Sequence, residues 1–310
     1  MKILLTAVGG PSGISFAKSL SEIEGVHLVG TSADDDMGAK SFLKAHYRVP
    51  LANDPEYLNA MRRIIGDENI DFVIPLVDEE MTLLSEHAGD IGSKVLVSPF
   101  ETISYTSNKH KMYEIAADYL PRRFNKDTEP AFPLFAKPVV GRGGKGAKTI
   151  TSAEELALIP LDQYVVQEIL RDPEVSIDAF FDFDGRLVIA VPRVRSEIDQ
   201  GISIKGRVFR DDYLLKIVKD LAGRMKFVGP VNFQFMRGGE GYKLTEINAR
   251  GSGGMGITIR SGADIPKLAH ELMQDGKIST VPEVREGVYA NFDEVLERQR
   301  RKKQAEDNSL

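Results

Sequence analysis

The sequence predicts a chain of mixed class: a parallel α/β sheet first, then a small α+β unit, then a largely antiparallel sheet. Three observations carry this. The first hundred residues alternate apolar, strand-sized runs with amphipathic helical stretches, the pattern of a parallel sheet with helices on its faces. Residues 134–168 hold short strands joined by a glycine-rich turn. Beyond Glu174, long runs of period two are interrupted by helices of period 3.6.

Strand-like runs fall at residues 3–8, 26–30, 71–75 and 94–97, with amphipathic stretches at 14–23, 55–65 and 79–87. Ligands of parallel sheets gather at the carboxyl ends of their strands. Segments 9–13 and 76–80 therefore sit where a ligand would bind. A basic helix is predicted from Asn108 to about Leu120, ending before Pro121. Next come strand 134–137, a glycine turn at 141–146, strand 147–151, helix 153–158 and strand 164–168. Long strands follow at 174–183 and 186–194, a helix at 211–224, a hairpin at 231–236 and 242–248, and a helix near 265–274. Past Asn291, Phe292, Val295 and Leu296 keep helical spacing, and the basic run 298–303 reads as a solvated helix end or a binding segment.

Composition narrows the function classes. The 310 residues carry 40 basic and 46 acidic side chains, a net charge of −6. An acidic chain is a poor general nucleic-acid binder, because the phosphate backbone rewards a basic surface. With no cysteine, disulfides, thiol nucleophiles and cysteine-ligated zinc are excluded, which fits a reducing cytoplasm. The N-terminal apolar run ends at Gly9-Gly10-Pro11 and reads as a buried strand rather than a leader. No apolar run approaches the roughly 18 residues of a membrane span.

Several motifs fail. Glycines at 9, 10 and 13 miss the dinucleotide fingerprint despite Asp34, Asp35 and Asp36 after the second strand, although a tight turn at a helix start would still offer amides to an anion. The phosphate loop is absent, since Gly144-Lys145 runs into Gly146 and Gly276-Lys277 into Ile278. No serine sits in a G-x-S-x-G elbow. The five histidines (27, 46, 87, 110, 270) show no ligand spacing.

Two segments carry chemistry. Residues 130–153 contain no acid, four basic residues (Lys137, Arg142, Lys145, Lys148) and four glycines (141, 143, 144, 146). Such a loop lets backbone amides approach phosphate oxygens while lysines supply charge; taken alone, it equally fits a flexible hairpin with solubilising lysines. In the hairpin, the period of two puts Glu246 and Asn248 on one face and turns Gln234 the same way. One carboxylate and two carboxamides, completed by phosphates and water, suit Mg²⁺ or Mn²⁺; the alternative is a polar strand face in solvent. Arg250 and Gly251-Ser252-Gly253-Gly254 follow, an arginine and a flexible turn of the kind that steadies developing charge in phosphoryl transfer.

On these residues the chain resembles the ATP-grasp superfamily, and is most similar to short proteins built like one ATP-grasp half of the carbamoyl-phosphate synthase large subunit. The resemblance spans roughly residues 1–280, with the motifs in the family's order. It implies a Rossmann-like domain at 1–105, a small lid subdomain at 106–170, a large ATP-grasp subdomain at 171–285 and a helix or tail at 286–310. Lys137, in Leu134-Phe135-Ala136-Lys137-Pro138, and Lys109 match positions that hold ATP phosphates, with Gly143, Gly144 and Gly146 in the covering loop. Gln167, Glu168 and Ile169 resemble the hinge that receives adenine, and Glu174 the acid that binds ribose. Gln234, Glu246 and Asn248 fall on metal-ligand positions and Arg250 on the catalytic arginine. Two departures stand out: alanine replaces proline in Glu246-Ile247-Asn248-Ala249-Arg250, and Ser203 stands in a nucleotide-contacting loop where the synthase carries histidine.

The resemblance implies an ATP-dependent carboxylate–amine ligase acting through an acyl phosphate. Arg193, Arg195 and Lys205 are candidates for a substrate carboxylate, the two arginines as a bidentate clamp or as a structural surface pair. Asp78, Glu79 and Glu80 are candidates for an amine, or simply suit the first turn of a helix. A kinase of small carboxylates or carbamates, a nucleotide-binding module without chemistry and a nicotinamide oxidoreductase are the alternatives. The expected partners are small molecules in the cytoplasm, with no nucleic acid and no membrane; a homo-oligomer is left open.

Overall fold

The computed structural model describes residues 1–35, 38–125, 129–141, 144–199, 201–239 and 241–290. The basic run of the tail, Arg142 and Gly143 lie outside the described residues. The predicted class is the observed one: a parallel sheet, a small three-stranded sheet and a six-stranded sheet follow one another along the chain.

The first sheet is built from β1 (Lys2–Leu5), α1 (Pro11–Ser21), β2 (His27–Ser32), a 3₁₀ turn at Gly38–Phe42, β3 (Ala45–Arg48), α2 (Tyr57–Glu68), β4 (Phe72–Ile74), α3 (Asp78–Glu86) and β5 (Lys94–Val95). Its five strands are all parallel, in the order β3-β2-β1-β4-β5. β1 shows why both faces must be covered. Ile3 and Leu5 enter the cluster formed with Phe16, Ala17 and Leu20 of α1, and Leu4 enters the cluster with Met61, Ile64 and Ile65 of α2. The strand is shorter than its apolar run, because the chain turns at Ala7, which adopts a positive φ of 48°. β3 is missing from the sequence reading; its Ala45-His46-Tyr47-Arg48 lies on a sheet edge and shows no apolar alternation.

The next elements are α4 (Phe100–Thr106), α5 (Lys109–Ala116), β6 (Leu134–Pro138), β7 (Lys148–Ile150), α6 (Ala153–Ala157) and β8 (Tyr164–Glu168). The helix predicted from 108 begins as expected, since Asn108 caps it by accepting from the amides of His110 and Lys111. It stops at Ala116, four residues short. β6 to β8 form an antiparallel sheet in the order β7-β6-β8, with the glycine turn between β6 and β7.

The large sheet comprises β9 (Arg171–Phe181), β10 (Leu187–Asp199), β11 (Ile202–Val208), β12 (Gly229–Gly238), β13 (Gly241–Asn248) and β14 (Gly287–Ala290), in the order β13-β12-β9-β10-β11-β14. Helix α7 (Asp212–Arg224) separates β11 from β12, while α8 (Met255–Arg260) and α9 (Ile265–Asp275) precede β14. β14 falls in the segment expected to be helix or tail: it pairs with β11 instead. One face buries Val175, Ile177, Phe181, Phe233 and Phe235 against Leu214, Ile217, Val218 and Leu221 of α7. The other face is divided. Phe180, Ile189, Val191 and Val208 pack into the cluster that also holds residues of α1, α8 and α9. The rest of that face is polar and open.

Gly13 marks how closely the parallel sheet folds on itself. A Cβ there would stand 2.5 Å from Val8 Cα and 2.8 Å from its carbonyl carbon. Backbone cannot yield as a side chain can, so Gly13→Ala is expected to destabilise the fold by about 1–3 kcal/mol, measured as a lower urea midpoint with an unchanged slope.

Candidate functional site

The polar face of the large sheet is one row repeated. Across β13, β12, β9 and β10, Glu246 stands opposite Gln234, Gln234 opposite Ser176, and Ser176 opposite Arg193. One step along, Asn248 stands opposite Asn232 and Asn232 opposite Asp178. The proposed ligand trio Gln234, Glu246 and Asn248 therefore shares one face, as the alternation predicted. The alternation itself is broken at Thr245, where the β12–β13 register shifts between Gln234 and Phe235. Without this bulge, Leu244 and Glu246 would face the same way; with it, Leu244 enters the core and Glu246 the cleft. The bulge also frees the Thr245 carbonyl, which accepts from Lys137 Nζ at 3.0 Å.

Three clefts meet at Glu246 and Gly141, which line all of them. The first, about 360 Å³, runs between β6 and β13 past Lys109, Lys137, Gly144, Gln167 and Ile169. The second, about 200 Å³, is bounded by Asp78, Glu79, Met81, Ile103, Lys109 and Asn248. The third, about 1100 Å³, lies between the start of α1 and the large sheet, over Glu174, Arg193, Arg195, Ser203, Gln234 and Arg250.

Electrostatics concentrate at this junction. Burial, then the charge of Lys109, hold the Lys137 ammonium down to about 8, with Glu246 acting in the opposite sense. Lys109 is also lowered by burial, opposed by Glu246 and Asp78, and its Nζ donates to the Gly141 carbonyl at 2.9 Å. Glu246 acts on both lysines, and Asp78, which also acts on Lys109, is itself paired with Arg250. Gln167 is buried in the first cleft, and its Oε1 has no hydrogen-bond partner among the described residues.

Arg250 is held from the parallel sheet. Its Nε and Nη2 both donate to Asp78 Oδ2, at 3.0 and 2.6 Å, and Nη1 donates to the Gly251 carbonyl. Asp78 opens α3, and so does Glu79, which is exposed at the second cleft. Glu80 turns inward: it is 6% exposed and accepts from the Thr6 hydroxyl. Burial lifts its carboxyl to about 7. It stands away from the cleft in which an amine was expected.

The two arginines expected as a clamp take separate protein partners. Arg195 pairs with Glu174 and donates to the Gly201 carbonyl at 2.6 Å, so the residue expected at ribose is engaged by a neighbouring guanidinium. Arg193 is 1% exposed and donates through Nε to Asp178 Oδ2 and through Nη2 to Ser252 Oγ, both at 3.0 Å. Lys205 is exposed on β11 and lines none of the three clefts. Glu168 accepts from the Arg122 amide at 2.7 Å and also lies outside them. Gly146 packs against Pro138 rather than a cleft, whereas Gly144 lines two of them with a positive φ of 69°. Ser203 is buried on the floor of the third cleft. Sequence reasoning missed Asp178, whose only signal was an acid on the polar parity of β9, and Thr245, whose signal was the change of apolar parity between Leu244 and Ile247.

Two family models match successive parts of the chain. Residues 3–96 match the "PylC-like, N-terminal domain", and residues 161–294 match "ATP-grasp in the biosynthetic pathway with Ter operon". The formate-dependent phosphoribosylglycinamide formyltransferase of Erythrobacter litoralis is 26% identical over 227 residues, covering 62% of this chain and 57% of that protein. The carbamoyl phosphate synthase large chain of Clostridium acetobutylicum is 21% identical over 247 residues, 70% of this chain and 23% of that one. The chain thus spans less than two thirds of either relative. Among solved structures, the N5-carboxyaminoimidazole synthetase of Staphylococcus aureus complexed with ADP superposes with a TM-score of 0.73 at 16% identity, over 94% of this chain and 82% of that one.

The state of Lys137 is readable in stability. Below pH about 8 it is charged both in the fold and in the unfolded chain, so its burial cost is fully present. Above that pH the folded chain releases the proton while the unfolded chain, near 10.5, retains it, and the cost fades. Lys137→Met is expected to be more stable than the parent at pH 7, with the difference shrinking from pH 8 to 10.5 in urea titrations.

Proposed function

We propose that this chain, an ATP-grasp protein by fold, is an ATP-dependent carboxylate–amine ligase working through an acyl phosphate. The observation that carries the reading is the meeting of three clefts at Glu246. A reaction of nucleotide, acid and amine needs three approaches to one point. The names of the relatives support the same chemistry, each of them for its own protein.

ATP takes the first cleft. The unpartnered Gln167 Oε1 accepts from the adenine amino group, while Ile169 and Leu170 supply apolar wall. Lys137 and Lys109 hold phosphate oxygens, whose charge restores both ammonium groups toward their ordinary range. Gly144, with no side chain, lets the turn after β6 close over the phosphates. Gln234, Glu246 and Asn248 fit Mg²⁺ or Mn²⁺: one carboxylate and two carboxamides leave positions for phosphate oxygens and water. When bound, the metal neutralises charge on the transferring phosphoryl group. A substrate carboxylate oxygen attacks the γ-phosphorus and ADP leaves with the bond electrons. An amine then attacks the acyl carbon, losing a proton, and phosphate departs as the amide forms. Arg250, aimed by Asp78, donates to the transferring phosphoryl group. Small-molecule substrates and a cytoplasmic setting complete the reading.

Arg250→Ala is expected to retain Mg-ATP binding and lose roughly 10²–10³-fold in turnover, while Asp78→Asn lowers turnover less. The measurement is phosphate release with Mg-ATP across paired carboxylates and amines. Amine-dependent release supports the ligase. A stable acyl phosphate would assign a kinase, and near-normal release from Arg250→Ala would overturn the role given to that arginine.

A further inference from the structure

Two buried donors without partners flank a single turn. Among the described residues, Ser12 Oγ, in the first turn of α1, has no hydrogen-bond partner, and Arg193 Nη1 has none either. Between them runs Gly251–Gly254. A Cβ on Gly251 would stand 2.7 Å from Ser12 Oγ, and one on Gly254 would stand 2.6 Å from Arg193 Nη2 and 2.7 Å from Nη1. The turn therefore lies close to both donors, and a side chain at either end would force one of them to shift. Ser12, Arg193 and all four turn residues line the same 1100 Å³ cleft.

The donors differ in what they demand. Buried polar groups are almost always paired, and a guanidinium edge left without an acceptor is costly. Arg193 is 1% exposed, and its other two nitrogens are committed to Asp178 and Ser252. Asp178 balances its charge, yet the Nη1 edge still lacks an oxygen. A ligand that brings an anionic oxygen supplies it.

The Arg193 backbone is set back from Glu246 across the sheet. Arg193, Ser176, Gln234 and Glu246 are successive neighbours across four strands. Three interstrand steps of about 4.8 Å put Arg193 Cα about 14 Å from Glu246 Cα. A carboxylate at the junction of the clefts leaves Arg193 to another group of the same molecule.

We propose that the glycine turn covers an anion subsite: the substrate carries, beside the carboxylate activated at Glu246, a second anionic group that takes Arg193 Nη1 as its ionic partner and a hydrogen bond from Ser12. The substrate class is a short-chain acid with two anionic ends. The inference rests on the ligase reading for the role of the first carboxylate.

The test uses the full chain saturated with Mg-ADP and calorimetric titration of acetate, propionate, succinate, glutarate and 3-phosphonopropionate. The dianions are expected to bind at least roughly tenfold more tightly than the monocarboxylates, as a charged hydrogen bond implies. The carboxylate and phosphonate arms identify which second anion is preferred. Arg193→Gln combined with Asp178→Asn removes both buried charges together, and is expected to bring the dianion advantage close to one. Ser12→Ala, which leaves the buried pair intact, is expected to reduce it several-fold and keeps the test decisive if the double variant does not fold. Equal affinities for mono- and dianions, or an advantage that survives Ser12→Ala unchanged, would overturn the subsite. A chain that takes up no Mg-ADP refutes the nucleotide reading instead, and the same acids titrated without nucleotide still decide the subsite.

Discussion

The Asp178 carboxylate is the knot on which the polar face of the large sheet is drawn together. It is fully buried on β9. One oxygen accepts from Arg193 on β10 and from the Thr258 hydroxyl on α8; the other accepts from Asn232 on β12 at 2.9 Å. Burial opposes its charge but is outweighed by Arg193 and by the hydrogen bonds of Arg193, Thr258 and Ser252, so the carboxyl is held below its usual range. Three strands, a helix and the turn after Arg250 are thereby tied to one buried charge. Such pairs are poor sources of net stability but costly to break, by about 3–5 kcal/mol when one partner is removed. The network's contribution is position.

Position matters because the site has no single owner. The large sheet supplies Gln234, Glu246 and Asn248, the small sheet Lys137 and Gln167, and the parallel sheet Asp78. The parallel sheet reaches the centre through Asp78 on Arg250, the small sheet through Lys137 on the Thr245 carbonyl, and α5 through Lys109 on Gly141. Each contact joins a charged side chain of one unit to the backbone or an acid of another. A shift of any unit would move a charge within the cleft. The lysines feel this most, since burial has already weakened their hold on a proton.

Much of this was legible in the sequence, for local reasons. Alternation in β9, β12 and β13 reports which residues share a face, and that alone groups Gln234, Glu246 and Asn248. The apolar runs of β1 and β4 report burial on two faces, hence a parallel sheet. Where the pattern is weak the reading fails: β3 is a half-buried edge, and β14 is a short strand recruited by β11 from a segment without strand periodicity. The bulge at Thr245 left one mark in the sequence, the apolar parity that changes between Leu244 and Ile247, but the residue skipped by the partner strand is a property of two strands.

The arginines mark the boundary most clearly. Residues 193 and 195 sit two apart on one strand, and the sequence alone determined that they share a face. Which partner each takes was decided by neighbours distant in the chain: Asp178 and Ser252 for Arg193, Glu174 and the Gly201 carbonyl for Arg195. A long cationic side chain has several reachable acceptors. The lowest free energy among them depends on which acid is desolvated beside it. By itself, then, the sequence determined fold class, strand faces and the chemical types around the cleft, since these follow from local periodicity and residue type. Only the tertiary structure decided which charges are already spent on each other and which donors are left for a ligand, because pairing is a property of three-dimensional neighbours and of the water removed between them.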